Sequence, residues 1–263
     1  NNLLYFWENP YRGMYIPITY NYWLFLNELS NIIFDKLFYP FLFHLSNIIF
    51  HTLNGILVYL IINSLLSSPL SSFLGALIFL IHPIQVESVS WASELRGLLS
   101  AFFGLTALYI HINKYILKNI NKFLFNFFIT LLLVMAFLSK PMTVIFPMFF
   151  LFYDLLIQKK NLKYFIYDPF NWIWFLGASS VALITTRSQE SIFSSLDEKF
   201  LVWLDTIIFY LYKIIFPLSL MASYSRTKDL VISDKIWFIS FILIIILLIL
   251  YMFKLKNYTI ISY

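Results

Sequence analysis

Cysteine is absent from the 263 residues. That excludes a disulfide framework, a thiolate metal site and a thiol nucleophile. Charge is scarce: Asp, Glu, Lys and Arg make up 12% of the chain, about half the roughly 25% usual in soluble domains. Glycine is sparse too, at six residues, and no glycine-rich phosphate loop, internal repeat or low-complexity tract is visible. No signal-peptide pattern opens the chain. What fills it instead is apolar surface, 61% hydrophobic residues with 21% aromatic and a mean hydropathy of +0.82. A single aqueous core cannot hide that much, because surface-to-volume scaling leaves too much of it exposed. A bilayer removes the problem, and the apolar runs are close to the roughly 20 residues that a span needs. The sequence therefore reads as an all-α polytopic transmembrane bundle whose first partner is the lipid bilayer. The net charge of +5 is no nucleic-acid footprint, since the lysines fall mainly in short loops, as membrane topology requires.

Residues 1–40 are aromatic, polar and interrupted by Pro10, Pro17 and Pro40. They are expected to form a non-cytoplasmic loop with short helices lying at the interface, where Trp and Tyr prefer to sit. The membrane domain then runs over 41–263 with about seven or eight helices. Expected spans are 41–64, 70–83, 97–112, 122–139, 141–157, 169–186 and 236–253. Pro141 suits a helix start, where its missing N–H would be unpaired anyway. The stretch 200–217 carries Asp205 and Lys213 and is expected to be interfacial or re-entrant. Lys114, Lys118 and Lys122 flank one loop, and Lys159, Lys160 and Lys163 fill another. By the positive-inside rule both are cytoplasmic, which puts the segment after His82 and the Ser139-Lys140-Pro141 turn on the opposite side. The chain opens on Asn1 and closes on Tyr263 just after an apolar run, so a fragment of a longer protein is expected.

Three groups of residues carry possible chemistry. The loop HPIQVESVSWASELRG, His82 to Gly97, gathers His82, Glu87, Glu94 and Arg96 at the membrane boundary. Ionisable groups there are costly and suggest function by default, although a solvated loop would also carry such charges. If the stretch after Pro83 is one helix, Glu87, Ser90, Trp91 and Glu94 share a face. The first span carries His44, Asn47, His51 and Asn54 at spacings of three, four and three. Such a stripe faces protein or a cavity rather than lipid, and interhelical hydrogen bonding is its commoner use. Two His at i, i+7 without a carboxylate make a poor metal site. Lys140 ends the fourth span on the side that the orienting bias disfavours. It reads either as a phosphate partner or as a lysine snorkelling at a helix end. Arg187 after the sixth span is a weaker case of the same kind. The aromatic-rich segment Phe6 to Trp23, with Glu8 and Arg12, reads as an interface belt more readily than as a sugar-stacking surface.

YIPITY (Tyr15 to Tyr20), FHLSNIIFHTLN (Phe43 to Asn54), HPIQVESVSW (His82 to Trp91) and SKPM (Ser139 to Met142) occur in this order. Together they resemble the membrane half of bacterial proteins carrying tetratricopeptide repeats, and of the eukaryotic transmembrane and tetratricopeptide O-mannosyltransferases. The resemblance covers roughly residues 6 to 225. It implies a GT-C type glycosyltransferase that takes a sugar from a polyprenyl-phosphate carrier and transfers it to a protein or glycan hydroxyl. It also implies the bacterial inner membrane, with the site facing the periplasm or outside. On that resemblance Glu87 positions the acceptor or assists the base, and His82 hydrogen-bonds a sugar or phosphate oxygen. Lys140 and Arg96, with Arg187 behind them, neutralise the carrier phosphate. The resemblance fixes no cofactor; a divalent metal could share the work, but no ligand set is visible.

Two departures stand out. Family members place an acidic residue in the first outer loop as the base, and Glu8 lies near that region without matching the motif. Many relatives also read E-R-K-D or G-R-x-D/E where this chain has Glu94-Leu95-Arg96-Gly97. The base is therefore expected upstream of Asn1, together with a helix, and the repeat domain downstream of Tyr263. Activity is expected only within the longer protein. Two other functions fit parts of the sequence. A non-catalytic membrane anchor for an interaction domain suits the missing acid. A transporter or flippase of lipid-linked substrates would need polar groups across the whole bilayer, whereas the charges here gather at one side.

Overall fold

The computed structural model describes residues 4–11, 13–114, 121–188 and 196–221, together with 224 and 246. Every regular element among them is helical. The chain divides into two compact units, Asn1–Glu190 and Ser191–Tyr263. In the first unit the α-helices are α1 (Tyr5–Glu8), α2 (Pro17–Phe34), α3 (Pro40–Leu66), α4 (Pro69–Ile81), α5 (Val86–Ser90), α6 (Leu95–Ile112), α7 (Lys122–Ser139), α8 (Phe146–Phe152), α9 (Leu162–Tyr167) and α10 (Pro169–Ser188). The described part of the second unit is built around α11 (Leu196–Ile215), which buries Asp205, Ile208, Phe209 and Lys213.

Proline sets several helix starts. Pro17, Pro40 and Pro69 each occupy the first turn of their helix, where no backbone donor is missed. Pro83 sets a stop. The residue before proline is pushed out of the α region, and His82 is extended at ψ 130°. Helix α4 therefore ends at Ile81, before the expected limit at residue 83. The next segment, Pro83–Ser90, leaves at a bend of 49°. His82 Nδ1 accepts the Ile84 N–H at 3.2 Å and caps the new turn.

Among the described residues three continuous helices are long and apolar enough to cross a bilayer: Pro40–Leu66, Ala92–Ile112 and Lys122–Ser139. The bent pair Pro69–Ile81 and Pro83–Ser90 makes a fourth if taken as one span. Pro141–Ile157 and Pro169–Thr185 are apolar but shorter. The expected helix over 141–157 is not uniform. It opens as a 3₁₀ turn at Pro141–Ile145, is α-helical over α8 and widens to a π-helix at Tyr153–Ile157. Pro147 lacks the N–H that an α-helix would need there. Residues 17–34 also differ from the expected short interfacial pieces, forming one 18-residue helix. The expected span 236–253 lies outside the described residues.

Burial is inverted relative to a water-soluble fold. On α3, Asn47 and Asn54 are fully buried, whereas Ile48 and Ile56 are 52% and 50% exposed. An apolar exterior over a polar interior face suits lipid as the solvent. The chain is thus a mostly helical membrane protein. Its packing centre is α6, flanked by α3 and α7. A core of Ala107, Ile129, Leu133, Phe137, Phe146, Phe150, Trp174 and Ala178 joins α6, α7, α8 and α10. Close approach needs small residues. A Cβ at Gly55 would run into Leu80, and one at Gly104 into the Phe146 ring.

Candidate functional site

The first turn of α6 and the end of α7 meet around one carboxylate. Lys140 Nζ donates to Glu94 Oε2 at 2.7 Å. Arg96 donates to the other oxygen, Oε1, from Nη2 at 2.6 Å and from Nε at 3.1 Å. Its Nη1 reaches Met14 Sδ at 3.1 Å. The side chains of Glu94, Arg96 and Lys140 are 12%, 23% and 24% exposed, so the cluster is half-sheltered. Among the described residues two cations share one anion, which leaves one positive charge in excess. Among the described residues Lys140 spends one donor of its ammonium on Glu94, and an ammonium has three. The arrangement can therefore accept an anion.

Backbone geometry holds the cluster in place. Trp91 is extended at φ −93°, ψ 112° and separates α5 from the turn that carries Glu94. That break exposes carbonyls, and α3 answers them. Asn47 Nδ2 donates to Val89 O at 3.1 Å and to Trp91 O at 2.9 Å. His51 Nε2 bonds Leu80 O at 3.0 Å, and Asn54 Nδ2 donates to Leu98 O at 2.9 Å. The stripe on α3 thus bonds α4, the break and α6 in turn. His44, the fourth member, is exposed in the second turn of α3. On the other flank, Thr19 Oγ1 donates to Ser139 O at 2.9 Å. Ser100 Oγ donates to Ala136 O at 2.8 Å and lies 3.0 Å from Thr143 Oγ1. A Cβ at Gly97 would stand 3.3 Å from both Glu94 Oε2 and Lys140 Nζ, so this position leaves room for the ion pair.

The candidate residues are thus distributed unevenly. Lys140 and Arg96 come together, with Glu94 as the hub that sequence reasoning left without a role of its own. Glu87 is exposed on α5 and makes no ion pair among the described residues. The Trp91 break also removes the single helical face expected to carry Glu87 and Glu94 together. His82 is half-buried and serves as the cap described above. Arg187 falls in the last turn of α10, and its side chain lies outside the described residues, as does Arg12. Glu8 ends α1 and is exposed. No group of three His, Asp or Glu suited to a metal ion occurs among the described residues.

A second ionic cluster, absent from the sequence reading, occupies the other end of α6. Asp154, in the π-helical turn, receives Lys160 Nζ at 2.8 Å and Lys114 Nζ at 3.3 Å, both on Oδ1. His111 Nε2 stands 3.4 Å from the same oxygen, without an aligned hydrogen bond. The His111 ring is buried and stacks on Phe150 with centroids 4.7 Å apart. Its signal was available: His111 and Asp154 are lone ionisable residues closing apolar runs, and such groups need partners. About 17 residues of α6, at 1.5 Å rise each, separate the two clusters by roughly 25 Å. One lies at each end of the span.

No family model matches the chain, and no curated protein or solved structure matches it. Its assignment as a helical membrane protein rests on the helices and their inverted burial.

Proposed function

We propose that the chain is the membrane domain of a GT-C type glycosyltransferase. It would transfer a sugar from a polyprenyl-phosphate carrier to a hydroxyl of a protein or glycan on the non-cytoplasmic side. The observation that supports this best is the meeting of Lys140 and Arg96 on Glu94 at one end of the bundle. These are two of the three cations that the resemblance assigns to the carrier phosphate. The basic residues Lys114, Lys159, Lys160 and Lys163 mark the other end, which the positive-inside rule makes cytoplasmic.

In this proposal the bond between the anomeric carbon and the phosphate oxygen breaks, and the electron pair stays with the phosphate. The acceptor oxygen bonds to the carbon and gives its proton to a carboxylate base. The phosphate leaves with one more negative charge than it had as the sugar ester. Lys140 and Arg96 stabilise that added charge, and only such a difference between transition state and ground state accelerates chemistry. Glu94 keeps the two cations together before the donor arrives. Glu87, exposed beside the break, is placed in the role of orienting the acceptor, and His82 in that of bonding a sugar or phosphate oxygen.

The test is turnover by the full-length protein in membranes, supplied with polyprenyl-phosphate-linked sugars of several kinds. Release of the free carrier phosphate, dependent on Lys140 and Arg96, supports the proposal. Absence of release from every donor, with the protein folded and inserted, overturns it and favours a membrane anchor without activity.

A further inference from the structure

We infer that the corner between α2 and α3, residues 32–41, is inserted among the lipids of the leaflet at that end of the bundle. The Glu94 cluster then lies beneath the membrane surface and not on it, whatever chemistry it performs. Two hydrogen bonds set the level of α3 against α6. Asn47 Nδ2 donates to Trp91 O at 2.9 Å, just before the entry of α6. Asn113, which follows the last residue of α6, donates from Nδ2 to Ser64 Oγ at 3.0 Å. From Asn47 to Ser64, α3 rises roughly 25 Å at 1.5 Å per residue. A hydrocarbon core is about 30 Å thick, so the entry of α6 falls short of its far boundary. Helix α3 continues past that level, from Asn47 back to Pro40, and adds roughly 10 Å. Helix α2 runs alongside this extension. Its Tyr22 ring lies 5.7 Å from that of Phe50, and the ring of its last residue, Phe34, lies 6.4 Å from that of Phe41.

The surface of the extension continues the lipid-facing side of α3. Phe41, Leu45, Ile48, Thr52 and Ile56 follow one another at spacings of three and four and are all exposed. Thr52 turns its hydroxyl back onto Ile48 O at 2.8 Å, so the strip asks nothing of water. His44 borders it in the second turn, within reach of headgroups. At the corner the apolar surface widens: Ile32, Leu37 and Phe38 are 79%, 66% and 65% exposed. Phe38 is held at φ 53°, a left-handed conformation that bulky residues rarely adopt. Asn27 Oδ1 accepts its N–H at 2.8 Å, and Ser30 Oγ accepts that of Tyr39 at 3.0 Å. Two buried side chains of α2 thus fix a turn that presents an aromatic ring outward. Asp35 and Lys36 lie in the same corner, and the Lys36 ammonium stands 5.4 Å over the Tyr39 ring. Charged heads between large apolar side chains suit the boundary between headgroups and hydrocarbon.

The absence of native cysteine allows a direct test. Leu37→Cys, Phe41→Cys and Asp35→Cys are each labelled with a nitroxide in the full-length protein, in vesicles of phosphatidylcholine and phosphatidylglycerol. Collisions with oxygen, which concentrates in hydrocarbon, are compared with collisions with a water-soluble nickel chelate. Oxygen should dominate at Leu37→Cys and Phe41→Cys, and the nickel chelate at Asp35→Cys. Dominance of the nickel chelate at both apolar positions would put the corner in water and overturn the inference. Shielding from both reagents would overturn lipid as the occupant, with spin–spin broadening marking a second copy of the chain. Ile32→Cys repeats the measurement from α2 if either apolar variant fails to insert.

Discussion

Lys140 Nζ and Glu94 Oε2 lie 2.7 Å apart although 46 positions separate them in sequence. The contact ties the end of α7 to the entry of α6, and Arg96 closes it from the opposite oxygen. Removing different members should therefore have unequal effects. In Lys140→Met, Glu94 keeps Arg96 as a partner. In Glu94→Gln, two cations are left facing each other. Glu94→Gln should lower stability by about 2 kcal/mol or more, and Lys140→Met by less. The measurement is unfolding of each variant in mixed micelles, with the double variant completing the cycle. A coupling energy near zero would show that the pair contributes nothing to the fold.

Asn47 and Asn54 are equally buried but should not be equally needed. Asn47 donates to carbonyls at the Trp91 break, whereas the Leu98 carbonyl bonded by Asn54 lies inside α6 and has a helical partner as well. Asn47→Leu should cost about 1–3 kcal/mol, the usual penalty for stranding a sheltered acceptor, because Val89 O loses its donor while Trp91 O keeps the Glu94 N–H at 2.9 Å, and Asn54→Leu should cost less. Asn47→Asp should be at least as harmful as Asn47→Leu, because a carboxylate has no donor for a carbonyl. Hydrogen exchange across 82–95 provides the readout. Equal protection in Asn47→Leu and wild type would contradict this role.

Burial depresses the Lys114 ammonium from its ordinary 10.5 to about 8, and the adjacent Lys160 adds to the effect. The folded protein therefore binds this proton less tightly than the unfolded chain. The cost is fully present below pH 8 and is relieved as pH rises from about 8 towards 10.5, so this group alone makes stability rise across that window. Acylation of Lys114 against pH should have its midpoint near 8. Lys160→Gln should move that midpoint upward. A midpoint at the ordinary lysine value in wild type would show that the cluster is not formed.

The two ionic clusters occupy opposite ends of α6, and the chain has no native cysteine. Gln85→Cys and Lys160→Cys can therefore report topology directly. In intact cells an impermeant thiol reagent should label Gln85→Cys and spare Lys160→Cys. The reverse pattern would invert the orientation proposed from the lysine bias.

Much of this organisation was legible because it is local. The stripe Asn47, His51 and Asn54 follows from helical spacing, and each of the three bonds a neighbouring carbonyl. The end of the second span was placed at residue 83, two positions past its end at Ile81. The hub role of Glu94 was not legible, because a second break at Trp91 turns it away from the helical face expected to hold Glu87. Pro147 is visible in the sequence, but the π-turn that aims Asp154 at Lys114 is not. The pairing of His111, Lys114, Asp154 and Lys160 is set by how α6 packs near α8, and local spacing carries no record of that. Lys140 was singled out from its place at a helix end, but its partner could come only from tertiary structure.

The most direct test of the proposed activity is the effect of Lys140→Ala on sugar transfer by the full-length protein, using a polyprenyl-phosphate donor. A cation that stabilises developing phosphate charge in a sheltered site is commonly worth a few kcal/mol. Transfer should fall by roughly a hundredfold, with insertion and expression unchanged, and Lys140→Arg should keep part of the rate because the charge survives although its shape differs. A wild-type rate in Lys140→Ala would contradict the phosphate role and leave Lys140 as the structural partner of Glu94 alone.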